Sequence, residues 1–250
     1  MIVVIQDKVF GEETDRLVAA LKKLGVRYSF DDLPPITGGE AVFFRGTTKF
    51  VRTCLMRYDE YADVVGSMEL ENYQYHVYSQ HYIDVLLNSD YAIYPWWYLK
   101  TLQSVPPMFL RPVSGEKIFT GTTVGNKYYQ QELRIIETLP STSGLTDETL
   151  VVTSSPKEIL AEFRLVMCEN DCLGWSRYDE NSGNYSLDKH IPGILKWFKW
   201  YPDPFYTADV AITPNGCKLV ELNSFASAGW YDVDPEPIVR KLLEDCPYEC

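Results

Sequence analysis

Apolar positions recur along this chain with two different spacings, and the switches between them outline its elements. Residues 1–5 are a continuous apolar run, the pattern of a strand buried on both faces. From Glu12 to Leu24 the apolar positions Leu17, Val18, Leu21 and Leu24 fall at helical spacing, and Gly25 closes the element. Residues 26–30 and 41–45 read as two more strands, separated by a loop at 31–39 that holds two Pro and two Gly. A helix is predicted over 49–58 and a short strand over 62–65. This β-α-β-β opening predicts a small α/β layer.

The tyrosine-rich run 69–82 shows no decisive period, whereas 82–87 and 95–102 look helical, with Trp96 and Trp97 as packing residues. Pro106-Pro107 marks a boundary. A strand over 108–111 leads to Pro112, residues 113–116 turn, and another strand begins at 117–119. A helix follows over 126–138, a loop over 141–144, and a strand over 149–153 that leaves through Ser154-Ser155-Pro156. Residues 158–168 form a long strand, and 173–178 pairs back on it across Glu169-Asn170-Asp171. Residues 188–200 read as a helix with Ile191, Ile194, Leu195 and Phe198 on one side and Lys189, Lys196 and Lys199 in solvent. A second hairpin joins 207–213 to 218–222 through Pro214-Asn215-Gly216. A helix over 235–243 closes the chain, followed by a loose CPYEC tail.

Composition narrows the class. The chain has 250 residues, 46% apolar and 23% charged, as in an ordinary globular protein with a sizeable core. A net charge of −12 argues against nucleic acid or an anionic membrane as the main partner. No apolar run approaches a membrane span, and the first residues lack a basic leader. The six Cys make no C-x-x-C pair and the three His do not extend them, so a zinc site is not expected and free thiols in a reducing cytoplasm are. The sequence shows no internal repeat, Walker-type loop, G-x-S-x-G elbow or G-x-G-x-x-G loop.

The candidate chemistry lies on the second hairpin. Glu221 and Asn223 are two apart and share a face, and folding the hairpin brings Asp209 beside them. Two carboxylates and an amide oxygen make a hard oxygen site that suits Mg²⁺. The same pattern also describes a solvated polar face. The apolar residues around it, Val210, Ile212, Leu219, Val220 and Leu222, favour burial, and buried charges need a partner or a metal. The loop after Asn223 is rich in small residues, which would let a ligand approach the backbone. At the end of the third strand, Arg45-Gly46-Thr47-Thr48 either cradles an anion or is a plain turn.

Three stretches, taken together and in order, carry a resemblance: FLRPVSGEKIFTG at 109–121, VVTSSPKEILAEFRLVM at 151–167, and VELNSFASAGWYDVD at 220–234, with Asp209 twelve positions before Glu221. The chain resembles the ATP-grasp superfamily, and within it a divergent clade, common in bacteriophages, named for two arginines and one lysine. The resemblance implies an α/β (α+β) ATP-grasp fold over 106–250, divided into a lysine-bearing part (106–153) and a metal-bearing part (154–250). A small α/β pre-ATP-grasp region would occupy 1–105. It implies an ADP-forming carboxylate–amine ligase that uses ATP and Mg²⁺ and passes through an acyl-phosphate. Lys117 would meet the nucleotide phosphates, with Arg111 near the same phosphates or the acyl group. The backbone of Val151, Val152 and Thr153 would read the adenine edge, and Glu162 the ribose. Arg164 and Arg177 would face phosphate or the transferred group, and Asp209, Glu221 and Asn223 would hold the metal. Arg45, Ser224, Ser227 and Tyr231 are candidates for the substrate.

The implied partners are a small carboxylate and an amine, or a polypeptide acceptor, in the cytoplasm of a cell or of a phage-infected host. Many ATP-grasp ligases carry an arginine two residues before the metal-binding Asp; here that place is Thr207. Two other functions use the same pocket: an ATP-binding assembly factor that holds a partner protein, and a protein-modifying ligase.

Overall fold

The computed structural model describes residues 1–35, 40–58, 63–66, 68–116, 118–180 and 182–244. In chain order it places β1 (Ile2–Ile5), α1 (Glu12–Lys23), β2 (Arg27–Phe30), β3 (Ala41–Arg45), α2 (Thr48–Tyr58), β4 (Asp63–Val64), α3 (Tyr75–Tyr82), β5 (Ala92–Pro95) and α4 (Trp96–Thr101). There follow β6 (Met108–Pro112), β7 (Thr122–Val124), α5 (Tyr129–Thr138), β8 (Leu150–Ser154), β9 (Ala161–Cys168), β10 (Asp171–Arg177), α6 (Ile191–Ile194), β11 (Phe205–Thr213), β12 (Gly216–Ser224) and α7 (Pro235–Glu244). The fold class is mixed α/β, as the alternation of spacings predicts.

The chain divides into two compact units. One comprises residues 1–69, 161–210 and 221–250, the other residues 70–160 and 211–220. The expected boundary at 105 therefore falls inside the second unit, and the division crosses both strands of the metal hairpin.

In the first unit, β1 is flanked by β2 and β3 in parallel, and β4 continues beyond β3. All four residues of β1 are buried, which is why the run is uniformly apolar. α1 lays Leu17, Ala20 and Leu21 on the core, with acidic residues in its first turn and Lys22 and Lys23 in its last. Gly25, at φ 68°, turns the chain out of the helix. β9 and β10 form an antiparallel hairpin, with Arg164 opposite Ser176 and Phe163 opposite Arg177. Their sheet runs in the order β10-β9-β11-β12.

In the second unit the sheet order is β5-β8-β6-β7. Its core joins Trp96, Leu99, Leu110, Phe119, Val124, Tyr129, Leu133, Ile136 and Val151. Tyr75, Tyr78 and Tyr82 are buried along one face of α3, which resolves the tyrosine-rich run: its period is helical, but its apolar residues are tyrosines.

Several expectations need correction. Residues 83–87 are not helical; they turn, and Leu86 bridges to Leu219. The strand expected at 117–119 begins instead at Thr122, and Lys117 lies outside the described residues. The helix expected over 188–200 shrinks to Ile191–Ile194 and a 3-10 turn over Leu195–Trp197, because Pro192 and Gly193 interrupt it. Ile194 and Phe198 are nonetheless buried, and Lys189, Lys196 and Lys199 are exposed. Trp96 packs at 1% exposure, but Trp97 is 49% exposed. Cys54, Cys168, Cys172 and Cys217 are free thiols; Cys246 and Cys250, in the tail expected to be loose, are outside the described residues.

Candidate active site

β11 carries Asp209 in a strand buried at every position, so the carboxylate is 1% exposed. A carboxylate so far from water needs compensation. It comes from Arg164, on the adjacent strand β9 and itself 3% exposed. Arg164 Nε donates to Asp209 Oδ1 at 2.7 Å and Nη2 donates to Oδ2 at 2.6 Å, a bidentate fork. Its remaining nitrogen, Nη1, donates to the Gly229 carbonyl at 3.0 Å. On β12, the Asn223 amide donates to Glu221 Oε1 at 3.0 Å and approaches Asp209 Oδ2 at 3.4 Å. The structure thus brings Asp209, Glu221, Asn223 and Arg164 into one cluster within the first unit.

The cluster is crowded with negative charge. Glu162 lies two residues from Arg164 on β9. Burial, and then the charges of Asp209 and Glu221, push its carboxyl up to about 6. Burial also raises the Asp209 carboxyl, against the pull of Arg164, and Glu221 adds to the rise. The Arg164 guanidinium, fixed by Asp209 despite its burial, stays charged at any accessible pH.

Two tyrosines frame Arg164. The rings of Tyr178 and Tyr231 stack at 4.9 Å and 8°, and the guanidinium lies 5.6 and 5.1 Å from their centroids. Tyr231 is 38% exposed and takes φ 55°, a left-handed conformation unusual for an aromatic residue. Beside this pair opens a cavity of 560 Å³ lined by Glu12, Arg16, Arg177, Asp179, Tyr231 and Asp232 among others.

The other predicted residues fall into place unevenly. Arg177 is held by Asp179, with Nε to Oδ2 at 2.8 Å and Nη2 to Oδ1 at 2.9 Å, and also bonds to the Gly183 carbonyl at the cavity rim. Ser227 Oγ meets Thr48 Oγ1 at 3.3 Å. Ser224 is buried, and its Oγ has no hydrogen-bond partner. Thr207 is fully buried, with its hydroxyl 3.4 Å from the Asn223 carbonyl, so Asp209 receives its arginine from β9 and not from its own strand.

Arg45 is corrected from a substrate contact to a brace. It is 1% exposed, sandwiched between the rings of Phe10 and Trp230, ion-paired with Glu13, and bonded to the carbonyls of Phe225, Ala226 and Ala228. Glu13 in turn accepts the amides of Trp230 and Tyr231 at 2.6 and 3.0 Å. The backbone of Val151, Val152 and Thr153 is also corrected. β8 is paired on both edges, with β5 and with β6, so those groups are spent in the sheet and cannot read a base. Arg111, in the same unit, lies 5.5 Å from the Tyr75 ring.

Sequence reasoning missed Glu13, Tyr178 and the Arg164–Asp209 pair. Glu13 left a signal: it falls on the same stripe of α1 as Leu17, Ala20 and Leu21, where an acid has no reason to sit unless it is paired.

Among the described residues, no group of three or more His, Cys, Asp or Glu is placed to hold a metal ion. The candidate donor set has two carboxylates and an amide, below that count but of the right chemistry. Hard oxygen donors gathered with excess negative charge fit Mg²⁺, which keeps several waters of its own. None of the helices among the described residues is long and apolar enough to cross a membrane.

A model of the ATP-grasp domain, family 3 of the clade named for two arginines and one lysine, matches residues 88–242. No curated protein matches the chain by sequence. Among solved structures the chain is similar to the RimK domain ATP-grasp protein from Sphaerobacter thermophilus, at TM-score 0.59 and 14% identity, over 91% of this chain and 92% of that one. It is similar to the ATP-grasp ligase PsnB complexed with a phosphomimetic variant of minimal precursor, Mg and ADP, at TM-score 0.60 and 14% identity, over 97% and 96%. It is also similar to D-alanine–D-alanine ligase from Bacillus anthracis, at TM-score 0.55 and 14% identity, over 98% and 95%. The family model covers more than half of the chain and these structures share its fold: the chain belongs to the ATP-grasp domain family, in family 3 of the two-arginine, one-lysine clade.

Proposed function

We propose that the chain is an ATP- and Mg²⁺-dependent, ADP-forming ligase that joins a carboxylate to an amine through an acyl-phosphate. The observation that carries this is the buried cluster of Asp209, Glu221, Asn223 and Arg164 on adjacent strands of an ATP-grasp fold. Asp209, Glu221 and Asn223 would hold the cation, which supplies charge neutralisation to the β- and γ-phosphates when bound. Lys117 and Arg111 would bind phosphate, and Glu162 would accept the ribose hydroxyls. Arg164 would stabilise the phosphoryl oxygens as the γ-phosphoryl passes to the carboxylate. Arg177 and Tyr231, at the cavity rim, would contact the acceptor, with Ser224 and Ser227 behind them.

A polypeptide acceptor is favoured over a lone amino acid by the size of the cavity beside Tyr231, 560 Å³, which exceeds a single residue. The neighbours PsnB and MdnC, the latter a macrocyclase from Microcystis aeruginosa, were each solved with a precursor peptide, in keeping with this reading. ADP release measured against pools of amino acids and of short peptides tests it. Release stimulated by a peptide pool is expected. Mg·ATP binding with no ADP release from any pool would move the reading to a nucleotide-binding assembly factor.

A further inference from the structure

Arg164 occupies both oxygens of Asp209, the carboxylate proposed to hold the cation. The fork is bidentate and nearly free of water, since the two residues are 3% and 1% exposed. In such surroundings a guanidinium and a divalent cation are competing answers to the same buried charge. Asn223 behaves consistently with this state, since its NH₂ faces the carboxylates.

The guanidinium also has anchors that do not depend on Asp209. Nη1 donates to the Gly229 carbonyl, and the plane rests against the stacked rings of Tyr178 and Tyr231. Gly229 belongs to the loop that Arg45 and Glu13 brace from β3 and α1, so this second set of contacts is itself fixed.

We infer that Arg164 and the divalent cation exchange at Asp209: in the metal-free protein Arg164 is the counter-charge, and the entering cation releases its Nε–Nη2 fork for the anionic group that arrives with the metal. This rests on the ligase reading above and adds an order to it. Gly229, Tyr178 and Tyr231 keep the released guanidinium at the site, so Arg164 becomes a phosphate ligand only once the metal is in place. An arginine in this role is a competitor of the metal and not its support.

Mn²⁺ binding to nucleotide-free protein, followed by water-proton relaxation, separates the two roles by sign. Arg164→Gln is expected to bind Mn²⁺ about tenfold more tightly than wild type, because it removes the competing charge. Arg164→Lys, which cannot form the fork, is expected to fall between them. Equal or weaker Mn²⁺ binding by Arg164→Gln, or no binding by either protein, would overturn the exchange. Should Arg164→Gln fail to fold with Asp209 left unpaired, the wild type decides the question. Its Arg164 Nε–H resonance, assigned by its loss in Arg164→Lys, is expected to shift and exchange faster with solvent as Mg²⁺ is added, and an unmoved resonance would overturn the proposal. Calorimetry of Mg·ATP on the same wild-type sample keeps the two readings apart. Absent binding there counts against the ligase, whereas intact Mg·ATP binding with weakened Mn²⁺ binding in Arg164→Gln counts only against the exchange.

Discussion

Glu13, in the first turn of α1, and Arg45, the last residue of β3, form a buried ion pair from which the loop after β12 is suspended. Arg45 binds three carbonyls of that loop and Glu13 two of its amides. The loop then offers the Gly229 carbonyl to Arg164. Removing one member leaves the other charge buried and several backbone groups unpaired. Arg45→Met is therefore expected to cost about 3–5 kcal/mol in chemical denaturation. A loss below about 1 kcal/mol would show that the loop holds its shape without the brace.

Glu162 gives the site a pH-dependent stability. Its folded-state pKa is raised to about 6 from an ordinary 4.5, by burial first and then by Asp209 and Glu221. A carboxyl raised in this way is bound to its proton more tightly when folded. It destabilises the native state above its folded pKa, and the penalty fades as pH falls through that value towards the unfolded one. Glu162→Gln is expected to raise the melting temperature of metal-free protein at about pH 8 and to change it little at about pH 4.5. The same shift at both values would mean that Glu162 carries no excess charge.

Thr207 occupies the place where many ATP-grasp ligases carry an arginine, and it is fully buried. A guanidinium there would enter a strand with no exposed residue, close to the one that already serves Asp209. Thr207→Arg is expected to destabilise the protein by about 3 kcal/mol or more and not to improve turnover. A stable variant with higher ADP release would contradict the assignment of that role to Arg164.

Gly125 tests the second unit independently of the site. It adopts φ 151°, and a Cβ there would lie 2.8 Å from the Pro106 carbonyl oxygen and 2.8 Å from Pro107 Cα. Both neighbours are backbone and cannot swing away. Gly125→Ala is expected to cost about 2 kcal/mol, read as a lower denaturation midpoint with the slope unchanged.

The elements that sequence patterning captured best are those whose burial matches one period. β1 and β3 are apolar throughout because both faces are covered, and β11 and β12 stand out by their turn, Pro214-Asn215-Gly216. Patterning misled where residue type and role diverge. The buried face of α3 is made of tyrosines, and the helix expected at 188–200 keeps its apolar contacts while Pro192 and Gly193 break its backbone. The candidate metal residues were legible because hairpin geometry alone places Asp209 near Glu221 and Asn223. The partnership of Arg164 with Asp209 was not, since nothing in the spacing says that β9 lies against β11. Arg45 was misassigned for the same reason: its partners are Glu13 on α1 and a loop 180 residues further along the chain.

Mg²⁺-dependent ATP binding, measured by calorimetry on wild type and Glu221→Ala, tests most directly whether Asp209, Glu221 and Asn223 hold the cation that accompanies ATP. Wild type is predicted to bind, and to lose binding when chelator is added. Binding by Glu221→Ala is predicted to weaken at least about tenfold, about 1.4 kcal/mol, with the fold intact by circular dichroism. Equal Mg·ATP affinity in the two proteins would contradict the assignment.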